Sequence, residues 1–376
     1  MNERRYDLDW LRVMAILLLH LFHSAMPFVS EWGWHIKNPE TSNLFLEFNY
    51  FLSKWRMPIL FFISGIGTVF VLNQFSANYY IQQRTKRLIV PLLFGMLVVV
   101  PPQIYFEKIS NGVPYTSYFD FFPSIFTTGA YPSGNLSWHH LWFIVYLFIY
   151  SLIAIPLFWY FNSRNGKITL DYVAKIPKGF GLYALGLILF IASFLYFWFT
   201  EETHALIDDW AGFTRYFLYF IFGCLISTHA TFWNTIENNR RLHLKLAFFS
   251  IISINILRWN DIEPVWGWNL PNLLFLALMV FNAWFWVLAI LGYGKKYLNF
   301  NNRILKYANE GIYPFYILHQ TFIVIIAYYV VQVKNESILN KYLFLTFVSF
   351  ILTIGVYEFL VKPYNWARFF FGMKPK

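Results

Sequence analysis

Arg12 and His23 are the residues of this chain best suited to chemistry, and both lie in its first apolar run. The run reads Asp9-Trp-Leu-Arg12-Val-Met-Ala-Ile-Leu-Leu-Leu-His20-Leu-Phe-His23. An ionisable side chain inside an apolar span is costly, so each one marks a functional-site hypothesis. Eleven helical steps cover about 16 Å and nearly three turns, so Arg12 and His23 share a face at different depths. Arg12 then sits near one membrane surface and His23 near mid-bilayer. This geometry suits a cofactor headgroup at the surface and a reaction in the interior. A neutral imidazole at His23 can take a proton from a hydroxyl. His20, one turn earlier, widens the polar stripe. The competing reading is a histidine that hydrogen-bonds neighbouring helices.

Four further clusters carry polar groups into apolar surroundings. Lys54-Trp-Arg56-Met-Pro58 leads into Phe61-Phe62-Ile-Ser64-Gly65, where Ser64 can bond across an interface and Gly65 permits close helix approach. Arg84-Thr-Lys86-Arg87 places three cations at the mouth of a span, which suits phosphate binding as well as ordinary topology-setting charge. Trp138-His139-His140-Leu-Trp142 opens another span. No carboxylate or cysteine stands near it at ligand spacing, so no metal is expected there, and substrate contact or helix-entry bonding is the reading. Tyr313-Pro314-Phe-Tyr316-Ile-Leu-His319-Gln320 puts His319 near the depth of His23, with a structural His–Gln pair as the alternative.

The elements that position these groups follow from composition. The chain has 376 residues, 58% hydrophobic, 23% aromatic and 13% charged. Soluble domains average about 25% charged residues. The deficit points to a polytopic membrane protein. The net charge of +10 is dispersed in short clusters between apolar runs, which is a topology signal and excludes a nucleic-acid partner. The single Cys224 excludes an internal disulfide and a cysteine metal cluster. No small-x-small cleavage site follows the first run, so it is read as a retained span.

About ten transmembrane helices are expected, at 11–29, 55–74, 88–106, 140–161, 180–199, 212–228, 243–258, 270–292, 311–333 and 342–361. Most of the 29 Lys and Arg residues then alternate onto the side of the N-terminus, including Arg84, Lys86, Arg87, Lys167, Lys175, Lys178, Arg240, Arg241, Lys295 and Lys296. The positive-inside rule therefore places both termini in the cytoplasm of a multi-pass plasma (inner) membrane protein. The long segment 107–139 is expected to form a re-entrant or capping element over an outer cavity. Trp32, Trp34, Trp138, Trp259, Trp266 and Trp268 fit either an interfacial aromatic belt or sugar stacking. No repeat and no second domain is evident, so residues 1–376 are read as one membrane domain. There is no P-loop, no G-x-G-x-x-G opening a helix, no HExxH and no CxxC.

Taken in order, these fragments resemble the acyltransferase 3 family of integral membrane acyltransferases, which includes polysaccharide O-acetyltransferases and glucan succinyltransferases. The resemblance rests on Leu8-Asp9-Trp-Leu-Arg12 with His23, Arg56-Met-Pro58 with Ser64-Gly65, Arg84-x-x-Arg87 with Pro91, His140-Leu-Trp142-Phe143, and Tyr313-Pro314-x-Tyr316-x-x-His319-Gln320. It covers nearly the whole chain. It implies an all-α bundle of ten helices, a cytosolic acyl-CoA donor (acetyl-CoA or succinyl-CoA) and a hydroxyl acceptor on a polysaccharide, glycan or glycolipid. No permanently bound cofactor and no metal is implied. On this reading Arg12, Arg84 and Arg87 hold the phosphates of CoA, and His23 is the general base or a covalent acyl carrier. Arg56, Ser64, His139, His140 and His319 serve the oxyanion or the acceptor. The other classes are a secondary transporter of a polar metabolite, in which Arg and His line a substrate or proton path, and a non-enzymatic envelope-assembly protein.

Overall fold

The structure, a computed structural model, describes residues 4–173, 175 and 181–376. Lys178 and Phe180, the first residue of the fifth expected span, lie outside the described residues. The chain is an all-α polytopic membrane protein, and the described residues contain no strand beyond two isolated bridges, Val29–Ser42 and Ala130–Leu136. Its main helices are α1 (Tyr6–Ala25), α2 (Asn43–Leu72), α3 (Ala77–Ser110), α4 (Trp142–Asn162), α5 (Arg164–Val173), α6 (Gly181–Phe197) and α7 (Trp210–Ser227). They continue as α8 (Ala230–Asn238), α9 (Arg240–Trp259), α10 (Leu270–Tyr297), α11 (Arg303–Val330), α12 (Ile338–Val361) and α13 (Asn365–Phe370).

Among the described residues a helix runs through most of each of the ten segments expected to span. Among the described residues eight are long and apolar enough to cross a membrane, and a ninth if the bent pair Trp210–Ile226 and Ala230–Asn238 is one span. That pair turns by 108°. The helix breaks where His229 turns extended, at φ −135° and ψ 131°, and just before it Ser227 Oγ and Thr228 Oγ1 donate to the carbonyls of Cys224 and Leu225 at 2.7 and 2.6 Å. The remaining segment, α6, is shorter.

Two compact units divide the chain. Unit 1 takes the start of the chain to Ala15, Ser53–Ile81 and Ile149–Asn302. Its α2 and α7 meet backbone to backbone, because Gly65 and Gly223 have no side chain to hold them apart. A Cβ on Gly65 would stand 2.0 Å from the Phe220 carbonyl oxygen, and one on Gly223 would stand 2.0 Å from that of Phe62. Cys224 is buried in this contact and its thiol donates to the Gly65 carbonyl at 3.3 Å. Helices α9 and α10 are joined by Asn282, whose amide donates to the Ala247 carbonyl and to Ser250 Oγ.

Unit 2 takes Ile16–Leu52, Gln82–Phe148 and Arg303–Lys376. Its apolar core gathers Phe28, Ile36, Ile323, Val324, Ala327, Val330 and Leu345. Pro27 follows the end of α1, where a proline cannot continue the backbone ladder. The chain after it is tied into a knot by Lys37, which donates to the carbonyls of Met26 (3.2 Å), Val29 and Trp32 (3.1 Å). Helix α3 contains two π-turns, at Thr85–Ile89 and Gly95–Val99, before Pro101 and Pro102 restart it. Gln103 N then turns to the Val100 carbonyl at 2.9 Å, and the carbonyl of Val99 takes the Thr321 hydroxyl of α11 at 2.6 Å instead. Such π-turns expose backbone acceptors to a neighbouring helix. The segment after α3 folds into two short helices, Tyr118–Phe121 and Ser124–Thr127, pinned by Asn135, which donates to Ser124 Oγ at 2.7 Å.

Candidate active site

His23 lies on α1, two residues before the helix ends, and is partly exposed. Within unit 2 its ring lies edge to edge with that of His319, with centroids 5.2 Å apart and planes within 5°. His23 Nδ1 and His319 Nε2 are 3.0 Å apart. The direction of this bond can be deduced. His319 Nδ1 lies 2.6 Å from the Tyr316 carbonyl, which can only accept, so Nδ1 carries the proton. In the neutral form of this ring Nε2 offers a lone pair, and His23 donates to it from Nδ1. That leaves Nε2 of His23 as its lone-pair nitrogen, which is the form a general base needs. His319 is fully buried, at 0% exposure, so its ring is held fast. Asn49 of α2 supports the same stretch of α1 by donating to the Phe22 carbonyl at 3.1 Å.

His140 and His20 are engaged differently. His140 Nε2 lies 3.0 Å from the Ile317 carbonyl, and the His140 carbonyl accepts from the Tyr316 hydroxyl. These two bonds fasten the entry of α4 to α11, and the His140 ring stands edge-on to His319 with centroids 5.4 Å apart. His20 Nε2 meets the Thr346 carbonyl at 3.0 Å and so ties α1 to α12. Both are interhelical bonds of the kind the competing sequence reading describes.

A second cluster of unit 2 joins α3 and α11 to the loops that follow α1 and α3. His35 Nδ1 is hydrogen-bonded to Glu107 Oε2, and Glu107 Oε1 accepts from the Tyr131 hydroxyl at 2.9 Å. Burial and the adjacent Glu107 carboxylate both push the Tyr131 phenol above its usual range. His35 Nε2 lies 3.2 Å from the amide nitrogen of Gln320, which also donates to Gln103 Oε1 at 3.2 Å. The His139 ring packs on His35, with centroids 4.6 Å apart, and on Tyr131 at 4.8 Å. His139 itself holds a positive φ of 40°, and its Nδ1 meets Ser137 Oγ at 2.9 Å. His35, Glu107, Gln103 and Tyr131 are not among the sequence candidates. Gln103 and Glu107 stand four residues apart on one helix face, and that polar stripe at the end of a span was the available signal.

Arg84 and Arg87 also belong to unit 2, flanking and within the first π-turn of α3. The Arg87 carbonyl accepts from the Tyr313 hydroxyl at 2.9 Å. Gly372, at φ 65°, closes on the same carbonyl, where a Cβ would come within 2.8 Å. The Arg87 side chain is exposed. Arg12, Arg56 and Ser64 lie in unit 1. Arg12 shares α1 with His23 and bonds Asp9 Oδ1 at 3.2 Å. Arg56 is buried at 5% exposure. The Ser64 hydroxyl donates to the Leu60 carbonyl one turn back at 2.8 Å. Unit 1 also holds a charged group absent from the sequence candidates, Arg215 with Glu202 Oε2 at 2.8 Å and the Tyr216 hydroxyl.

The chain is similar along its length to glucans biosynthesis protein C of Salmonella typhi, at 24% identity over 99% of this chain and 95% of the relative. Glucans biosynthesis protein C of Salmonella paratyphi B and of Salmonella choleraesuis match at the same identity and coverage. No solved structure matches it. The family model Acyl_transf_3, described as an acyltransferase domain, matches residues 5–358 and so runs through both units. The chain therefore belongs to the acyltransferase 3 family of membrane acyltransferases.

Proposed function

We propose that this protein transfers an acetyl or succinyl group from cytosolic acyl-CoA to a hydroxyl of an envelope glycan, with His23 as general base. The observation that supports it is the directed His23–His319 bond, which leaves the lone pair of His23 on Nε2. His23 Nε2 takes the proton of the acceptor hydroxyl as its oxygen attacks the thioester carbonyl. The tetrahedral intermediate then collapses, the carbon–sulfur bond breaks, and the imidazolium returns the proton to the thiolate. The products are the ester and free CoA. The imidazolium formed midway keeps its Nδ1 proton on His319, whose own proton points at a backbone carbonyl, so the positive charge meets an acceptor chain.

Arg84 and Arg87, at the mouth of α3, bind the CoA phosphates through charge-assisted bonds. The acceptor is a glucan or related polymer by analogy with the relatives, whose name assigns them to glucan biosynthesis. The protein sits in the plasma (inner) membrane with both termini in the cytoplasm. Ser64 and His140 already bond backbone carbonyls, and Arg56 is buried in unit 1, so the scheme gives them no step.

Membranes carrying the wild-type protein or His23→Ala test the reading. Acyl-CoA turnover is followed by CoA release and by labelled acyl groups in the envelope fraction. Loss of a general base costs about 10²–10⁴-fold, so turnover should fall by at least 10²-fold while the variant inserts normally. Substrate movement without acyl-CoA consumption would instead mark a transporter. Equal turnover in the variant would remove His23 from the mechanism.

A further inference from the structure

We infer that His35, Glu107 and His139 form a binding site for a divalent metal ion of the zinc class. One ligand atom from each residue lies within 4.8 Å of those of the other two. Two imidazoles and one carboxylate with a position left open form a donor set that zinc accepts in tetrahedral geometry, with bonds of about 2.0–2.2 Å. Imidazole ligands favour zinc and its transition-metal neighbours over calcium or magnesium.

Three observations beyond proximity support this. First, the Nε2 atom of His139 is buried and makes no hydrogen bond, although its Nδ1 is held by Ser137. A buried ring nitrogen with no partner in a polar cluster is costly unless something fills the place. Second, the second atom of each ligand side chain is held by a polar neighbour. Glu107 Oε1 accepts from Tyr131, His139 Nδ1 meets Ser137 Oγ, and His35 Nε2 meets Gln320. This is the outer shell that orients metal ligands. Third, each ligand stands on a constrained backbone. His35 lies within the Lys37 knot, Glu107 is 7% exposed on α3, and His139 sits in a positive-φ turn.

Metal loading has a defined consequence for protons. The His35 proton moves from Nδ1 to Nε2, and the Gln320 amide turns over to accept it. All of these groups belong to unit 2, and Gln320, which meets His35, directly follows His319 on α11.

The site is tested without any acyl substrate, so its failure and that of the acyl-transfer reading are separable. The full chain, freed of any purification tag, is stripped with chelator in detergent, incubated with zinc and desalted. Metal content is then read by mass spectrometry. About one zinc per chain is expected. Glu107→Gln and His139→Gln should each lower zinc affinity by at least tenfold, and Tyr131→Phe by about tenfold through the outer shell. His204→Gln, in unit 1, should retain zinc. A wild type that holds no zinc, or ligand variants that hold as much as wild type, overturns the proposal. Where the ligand variants fail to elute as folded protein, cobalt(II) added to the wild type decides. A four-coordinate visible spectrum displaced by zinc supports the site, and no such spectrum overturns it.

Discussion

His23 and His319 are 296 residues apart in sequence and share one hydrogen bond. Because His319 accepts from His23, it acts on the reaction through the tautomer of its neighbour and is a positioning residue. This separates it from a residue that only fills space. In His319→Leu the acceptor is lost, His23 is free to protonate either nitrogen, and kcat should fall by about 10²-fold or more. In His319→Gln the amide oxygen can still accept from Nδ1, and most of that loss should be recovered with KM little changed. Steady-state kinetics on both variants decides, and equal loss in the two would reduce His319 to packing.

At the scale of elements, the crossing of α2 and α7 depends on two glycines placed against each other's neighbours. Gly65 meets the Phe220 carbonyl and Gly223 meets that of Phe62, so any side chain at either position must push the helices apart. Overpacking of this kind costs about 1–3 kcal/mol. Gly65→Val or Gly223→Val should therefore lower the unfolding midpoint of unit 1 in detergent. Gly67→Val, two residues on and facing open space, should not. The same element-scale logic explains α3. Its paired prolines and π-turns are not defects of a span, because they free the Val99 carbonyl for Thr321 and so fix α11, which carries His319 and Gln320.

For the whole molecule the arrangement of loops makes a topological prediction. Asn111, just after α3, and Ser163, just after α4, are both exposed. Cys224 is buried at 5% exposure and does not compete for labels. In intact cells Asn111→Cys should react with a membrane-impermeant thiol reagent, whereas Ser163→Cys should react only after the membrane is opened. Labelling of both from outside would sink the assignment of cytoplasmic termini. It would leave the family and the helical fold untouched.

What could be read from sequence follows from the bilayer as solvent. A run of apolar residues must be a helix there, and a charged group inside it is conspicuous, so the ten helical segments and Arg12, His23 and His319 were all visible. Glu107 and His35 were not, because each stands at the end of an apolar run where polar residues are ordinary, and 72 residues separate them. Local periodicity likewise cannot reveal that Ser64 bonds its own helix, nor that His140 is a clamp. The division into two units, each drawn from separate stretches of the chain, the His23–His319 bond and the gathering of His35, Glu107 and His139 come from tertiary structure alone. The physical reason is that burial is decided locally by composition, whereas hydrogen-bond partners of buried polar groups are chosen among distant segments, each satisfying what the others leave open.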